Sequence, residues 1–168
     1  MDCLNFFKLG FGGILVLMLG SLGACNLPEP PESTMTIPAE YVGVHMPEDW
    51  WNNESILNEG RQLYLGVSKP GVNCAQCHGE TGEPVRTGAL NFRNASAMRE
   101  YSDSQLLWRI SEGVPLSTMG AFKDKLSQDE IWKVIAFVSS LGMDGLRYDP
   151  GTKGWAPSGG GGHVPSTG

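Results

Sequence analysis

The sequence Cys74-Ala75-Gln76-Cys77-His78 constrains this chain most, because it has the form C-x-x-C-H. That form is the attachment signature of a c-type haem, in which each of the two thiols bonds to a vinyl group of the porphyrin. The histidine that follows supplies a nitrogen ligand for the iron. We therefore predict that Cys74 and Cys77 hold one covalent haem c and that His78 binds its iron.

The same motif has two other interpretations, a thioredoxin-like redox pair and half of a zinc site. A redox pair of that kind belongs in a βαβ unit, and no such pattern surrounds the motif. A zinc site takes about four ligands, whereas the chain has 4 cysteines in all, at positions 3, 25, 74 and 77. Without a second closely spaced pair, haem attachment is the favoured interpretation.

Length and charge exclude some classes of protein. The 168 residues are enough for one domain with extensions. The formal net charge of −6 argues against nucleic-acid binding, because phosphates would repel the chain. An acidic surface suits an electron carrier that docks on a basic patch of a redox partner.

Residues 1–24 are expected to be a signal peptide. Lys8 precedes an apolar run from Leu9 to Leu19, which has the length of a signal core and is short for a span of about 20 residues. The run ends in Leu22-Gly23-Ala24-Cys25, which resembles the lipobox of bacterial lipoproteins, so Cys25 is predicted to carry a lipid. Ordinary cleavage after Ala24 and an uncleaved helical anchor are the alternatives.

Two extensions are predicted on either side of a domain at residues 50–145. Residues 25–49 contain several prolines and read as a lipidated tether. Within that tether, His45 and Met46 are interpreted as ordinary residues rather than spare iron ligands. Residues 146–168 are Gly-rich and are predicted to be a disordered tail. A lone histidine in this tail, His163, is expected to be inert rather than to bind metal.

Helical signals dominate the domain, and no β pattern is apparent, so the fold class is predicted to be all-α. A first helix is expected at about residues 53–65, from its apolar spacing. Ser102 with Gln105 and Ser127 with Glu130 form the capping boxes of two further helices. Met119 lies in the loop between those two helices, which is long enough to cross a second haem face.

With these motifs in place, residues 53–142 resemble the class I c-type cytochromes, the small single-haem electron carriers. The resemblance rests on the haem motif, on Gly60 and Tyr64 in the first helix, on the segment from Gly113 to Phe122, and on Trp132 and Phe137 in the last helix.

The resemblance implies a cytochrome c-like fold of three to five helices around one covalent haem. It implies that His78 and Met119 bind the iron on opposite faces. Independently of the resemblance, Met98 is too close to His78 in sequence and Met143 follows the expected end of the last helix, so Met119 is favoured. The resemblance also implies that Gly60 and Tyr64 pack against Trp132 and the aromatic end of the last helix. Gly120 departs from the family, which usually has proline after the ligand methionine, so we expect a looser loop.

The predicted function follows from that resemblance. We expect a membrane-tethered, exported electron carrier, not an enzyme, that passes single electrons between redox proteins such as respiratory complexes. A haem enzyme or gas sensor with a displaceable sixth ligand is one alternative. A fixed haem subunit of a larger respiratory complex is the other.

Overall fold

The computed structural model describes residues 36–158, in which five helices precede a β-hairpin. Two short 3₁₀ turns, Ala39–Tyr41 and Glu48–Trp50, come before the first helix. The helices and strands are α1 (Glu54–Tyr64), α2 (Ala75–His78), α3 (Ala95–Met98), α4 (Asp103–Glu112), α5 (Gln128–Met143), β1 (Leu146–Asp149) and β2 (Gly154–Pro157). The helical body confirms the predicted fold class, to which the hairpin adds a small sheet.

Each of the three longer helices begins at a residue whose side chain caps it. Asn53 caps α1 with its side-chain oxygen. Ser102 and Gln105 exchange the two hydrogen bonds of a capping box before α4, as do Ser127 and Glu130 before α5. Such caps satisfy backbone N–H groups that the helix leaves unpaired, and each contributes about 1 kcal/mol. Both predicted capping boxes are therefore confirmed.

Helices α1 and α5 cross at Gly60. A β-carbon at this position would collide with the backbone carbonyl of Lys133, so the close approach of the two helices requires glycine. One turn later, the fully buried ring of Tyr64 packs edge-on against Phe137, with 5.3 Å between the ring centroids. The expected packing of Gly60 and Tyr64 on the aromatic end of the last helix is confirmed, with Lys133 and Phe137 as the contacts.

Gly142 lies inside α5 and does not end it. A glycine near the end of a helical pattern usually marks the helix end, but α5 continues through it to Met143. A β-carbon at Gly142 would collide with the backbone of Phe92 and Arg93. Its role is to let that loop approach α5 closely, which the sequence pattern alone does not show.

The segment before α1 is packed on the domain, so the predicted tether is wrong for residues 36–49. Nδ1 of His45 donates to the buried carboxylate of Asp103 at 2.9 Å, and the backbone N–H of Met46 donates to the same group at 3.1 Å. Met46 and Trp51 are themselves core residues. The proline content that predicted a tether does not reveal these contacts, because they join positions far apart in sequence.

Disorder is likewise the wrong prediction for residues 146–158. Strands β1 and β2 pair antiparallel, with the sequence Pro150-Gly151 in the turn between them. Trp155 on β2 packs edge-on against Trp51 at 5.2 Å between ring centroids, and its Nε1–H donates to the backbone carbonyl of Tyr101 at 3.0 Å. The Gly-rich composition of this segment predicted disorder, but the contacts of Trp155 hold it on the domain. Residues 159–168, with His163, lie outside the described residues.

Candidate haem site

A cavity of about 620 Å³ lies between the loops and helices α2, α4 and α5. Its volume is within the range of about 300–1,000 Å³ that is typical of sites enclosing a small molecule or cofactor. The described ligand candidates Cys74, Cys77, His78 and Met119 all line it, as do the apolar residues Leu90 and Phe92. The structure therefore brings the predicted residues together around one space.

The two cysteines of the motif lie one helical turn apart. The backbone carbonyl of Cys74 accepts the N–H groups of Cys77 at 3.1 Å and His78 at 3.0 Å. Positions three apart on a helix share a face, so both cysteines are placed on the same side of α2. Both carry free thiols, and burial raises the pKa of the Cys74 thiol to about 11. The two positions thus offer sulfur groups at the edge of the cavity.

The imidazole of His78 is held in one tautomer. Its Nδ1 lies 3.0 Å from the backbone carbonyl of Leu90, which can only accept, so Nδ1 carries the proton. Nε2 therefore keeps the lone pair that a metal needs. Burial lowers the pKa of His78 from its ordinary 6.5, although the bond to Leu90 opposes the shift. The ring stacks on Phe92 with 4.5 Å between centroids, which further fixes its plane.

Tyr64 secures the chain directly after His78. Its hydroxyl donates to the backbone carbonyl of Gly79, and the backbone carbonyl of Tyr64 accepts the N–H of Cys74 at 2.9 Å. Burial raises the pKa of the Tyr64 phenol above its ordinary 10, so it remains a neutral donor. One residue of α1 thereby holds both ends of the haem motif.

The loop that carries Met119 is held by hydrogen bonds between its own residues. The N–H of Val114 donates to the carbonyl of Met119 at 3.0 Å, and the hydroxyl of Ser117 accepts the N–H of Met119 at 3.1 Å. Gly113 ends α4 with a positive φ of 77°, and a β-carbon there would collide with the backbone of Met119 and Gly120. Gly120 itself has open space around it.

The rival methionines lie away from the cavity. Met46, Met98 and Met143 are core residues of the described chain, and none of them lines the cavity. Trp108 does not line it either. Met119 is therefore the methionine that the cavity presents, among residues 36–158. The predicted lipidation residue Cys25 lies outside the described residues.

Sequence reasoning missed two arginines that line the cavity, Arg86 and Arg109. Arg109 lies three positions after Leu106 and directly before Ile110, and both of these apolar residues also line the cavity. A cation at helical spacing within an apolar face was the available signal. Across residues 36–158, no three His, Cys, Asp or Glu side chains converge to hold a bare metal ion.

Comparisons with known proteins match the part of the chain that builds the cavity. Residues 56–138 match the family model described as cytochrome c oxidase, cbb3-type, subunit III. Among solved structures, the KustC0563 c-type cytochrome has 31% identity over 49% of this chain and 95% of its own length, with a TM-score of 0.43. No curated protein matches the chain.

Two further structures are similar at lower identity. Cytochrome CL from the marine methylotrophic bacterium Methylophaga aminisulfidivorans has 22% identity over 54% of this chain and 56% of its own, with a TM-score of 0.44. The reducing HAO-like protein complex of Kuenenia stuttgartiensis has 21% identity over 59% of this chain and 47% of its own, with a TM-score of 0.39. This chain spans about half the length of each.

Proposed function

Because this chain belongs to the c-type cytochromes, we propose that it carries single electrons between respiratory redox proteins while a lipid on Cys25 holds it at a membrane. The family binds haem c covalently, and its iron supplies a reversible Fe(II)/Fe(III) couple. The remaining steps fall to the protein's own residues, which attach the haem, bind the iron and exclude water from it.

The haem motif and the groups around it support three roles in this proposal. Cys74 and Cys77 form the thioether bonds from one face of α2. His78 binds the iron through Nε2, because Leu90 retains the proton on Nδ1. A hydrogen bond from a ligating imidazole to a carbonyl fixes the ring and raises its basicity, which tunes the metal.

Met119 is the proposed sixth ligand, and its place in the cavity is the observation that carries the function. Met119 shares the cavity with His78, whereas Met46, Met98 and Met143 are packed in the core. A thioether ligand together with an imidazole would raise the reduction potential. It also fills the coordination position that a substrate or gas would need. The proposal is therefore a carrier rather than a haem enzyme or gas sensor.

Carbon monoxide tests this distinction on the purified holoprotein. If Met119 closes the iron, the reduced protein should keep its absorption spectrum under carbon monoxide and should reduce a soluble electron acceptor without consuming a substrate. Rapid formation of a carbon monoxide adduct by the unaltered protein would favour the sensor or enzyme function instead.

Export and lipid anchoring rest on the sequence of the first 25 residues. Cytochrome c domains are generally extracytoplasmic, which agrees with a signal peptide at residues 1–24. In residues 36–158, no helix has the length and apolar character to cross a membrane. Cys25→Ser should release the protein from the membrane fraction or leave the signal uncleaved. A variant that is still cleaved, anchored and labelled by fatty acid would contradict the role of Cys25.

A second candidate function is a fixed haem subunit of a respiratory complex. The observation in its favour is the name of the matching family model, which describes subunit III of a cbb3-type oxidase. Gentle detergent extraction followed by native mass measurement separates the two candidates. A diffusing carrier should appear at the mass of a single chain, which is the 18.1 kDa of the full sequence less the signal peptide, plus haem and lipid, whereas a fixed subunit should appear in a larger assembly.

A further inference from the structure

The loop that carries Met119 leaves and rejoins the fold at one place, the end of α4. It begins directly after Glu112, the last residue of that helix. Where the loop ends, the N–H groups of Phe122 and Lys123 donate back to the carbonyl of Ser111, at 3.1 and 3.2 Å. Because a helix leaves its last carbonyls unpaired, these two bonds complete α4 and close the loop at its base.

An ion pair crosses the base of this loop. Nζ of Lys123 lies 3.0 and 2.7 Å from the two carboxylate oxygens of Glu112. The two residues flank the loop, because one directly precedes Gly113 and the other directly follows Phe122. Their hydrogen bond raises the pKa of Lys123 and lowers the pKa of Glu112 from their ordinary values, so both groups stay charged at neutral pH.

The segment before α1 adds a third group, Tyr41. Its hydroxyl donates to the carboxylate of Glu112 at 2.7 Å, although the two residues are 71 positions apart. Burial is the main cause that raises the pKa of Tyr41 above its ordinary 10, so the hydroxyl remains a donor. The same segment is held at the other end of α4 by the bond from His45 to Asp103. Tyr41 is thus fixed beside the base of the loop.

We propose that Tyr41 is a positioning residue for the sixth iron ligand, because with Glu112 and Lys123 it keeps the base of the loop closed and Met119 on the iron. These three side chains are called the loop brace below. Tyr41 does not line the cavity, so it acts through Glu112. The inference rests on the ligation by Met119 proposed above and adds to it the groups that hold the loop.

The loop brace has a measurable consequence at the iron. Imidazole can bind Fe(III) only after Met119 has left it, so the apparent affinity for imidazole scales with the fraction of protein in which Met119 is displaced. Loss of the loop brace raises that fraction. The members of the brace are partly exposed, and such polar pairs change an equilibrium by about two- to fivefold. The brace therefore adjusts the strength of ligation rather than deciding whether the haem binds.

The test is an imidazole titration of the oxidised holoprotein, followed by the weak far-red band of the Fe(III)–thioether bond. Tyr41→Phe and Glu112→Ala should each lower the imidazole concentration at which half of the band is lost, by about two- to fivefold. The double variant should behave like Glu112→Ala alone, because the hydroxyl of Tyr41 acts through that carboxylate.

Glu59→Ala is the matched control. Glu59 also pairs with a lysine from a helix, accepting from Lys133 at 2.6 Å, but that pair joins α1 to α5 and not to the loop. The control should leave the imidazole concentration at half loss unchanged. Unfolding in denaturant, measured on the same proteins, separates a change of overall stability from a change at the iron. Tyr41→Phe keeps the packing of the ring and is sufficient if Glu112→Ala does not fold.

The outcomes distinguish this role from the proposed function. An unchanged titration of Tyr41→Phe, additive effects in the double variant, or an equal shift in the control would each overturn the role of Tyr41. A far-red band that is missing from the unaltered protein, or kept by Met119→Ala, would overturn the ligation by Met119 and the loop brace with it.

Discussion

Asp103, the first residue of α4, receives a hydrogen bond from His45 at 2.9 Å, although the two residues are 58 positions apart. The Asp103 side chain is 1% exposed, and its carboxylate also accepts the backbone N–H groups of Met46 and Ser104, at 3.1 and 2.8 Å. One buried group thus joins the segment before α1 to the start of α4.

Replacing Asp103 by Asn should loosen this junction. An amide keeps the shape but offers N–H donors where the carboxylate accepted, so a buried donor loses its partner at a cost of about 1–3 kcal/mol. Chemical denaturation should show that loss in the free energy of unfolding, and proteases should cut residues 36–51 faster. Asp124→Asn, at an exposed position, is the control and should change neither.

Gly60→Ala should destabilise the protein despite the usual preference of helices for alanine. Alanine would gain about 1 kcal/mol in helix propensity, but its β-carbon would collide with the backbone of Lys133. Separating two packed helices costs about 1–3 kcal/mol or more, so the net change should be a loss of stability. Gly71→Ala is the matched control, because open space surrounds Gly71 and its φ is not positive. Equal melting temperatures for the two variants would contradict the crossing.

Glu130 should give the folded protein an acid-sensitive contribution to stability. Its hydrogen bond with Lys69, at 2.7 Å, is the main cause that holds the pKa of Glu130 below its ordinary 4.5. A carboxyl whose pKa is lower in the folded state stabilises that state above its unfolded pKa, and the gain is lost as pH falls through the folded value.

Glu130→Gln tests this dependence, because glutamine can keep the capping box but not the charge. Unfolding free energies measured against pH should show a deficit in the variant at neutral pH that shrinks as pH falls below about 4. Glu100→Gln, at an exposed position, should show no such convergence. A deficit for Glu130→Gln that is constant with pH would mean that its charge is not the stabilising feature.

The parts of the fold that sequence predicted are those with local causes. Ser102 and Ser127 predict the starts of their helices, because a capping box involves only residues three positions apart. The packing of residues 36–49 was missed because His45 and Met46 bind Asp103, a partner that only the folded chain brings close. The hairpin was missed because its strands are four residues each, and Trp155 is anchored by Trp51 and Tyr101 rather than by a local pattern.

The residues of the candidate site also differ in how far the sequence predicts them. Cys74, Cys77 and His78 are recognisable because haem attachment requires them to be adjacent. Met119 could be favoured over Met98 only through its loop and the family resemblance, and the structure now places it in the cavity.

Gly120 and Gly113 should have opposite effects on the Met119 loop. A β-carbon at Gly120 meets open space and its φ is not positive. Gly120→Ala should therefore stabilise the folded loop by about 0.4–1 kcal/mol, because alanine has less conformational freedom than glycine in the unfolded chain. Gly113→Ala should loosen it, because of the collision with Met119 and the positive φ. The alkaline pH at which the far-red band disappears should rise in the first variant and fall in the second. A shift of both in the same direction would contradict this account of the loop.

The most direct test of the central claim, that His78 and Met119 enclose the iron of a covalent haem, is the far-red absorption of the oxidised holoprotein and its Met119→Ala variant. The unaltered protein should show the weak band of an Fe(III)–thioether bond. Met119→Ala should lose that band, bind carbon monoxide when reduced and have a lower potential. Met98→Leu should behave like the unaltered protein in all three measurements. Haem should remain covalently attached in both variants. A Met119→Ala protein that retains the band and the potential would show that another group binds the iron, and would contradict the closed-carrier account.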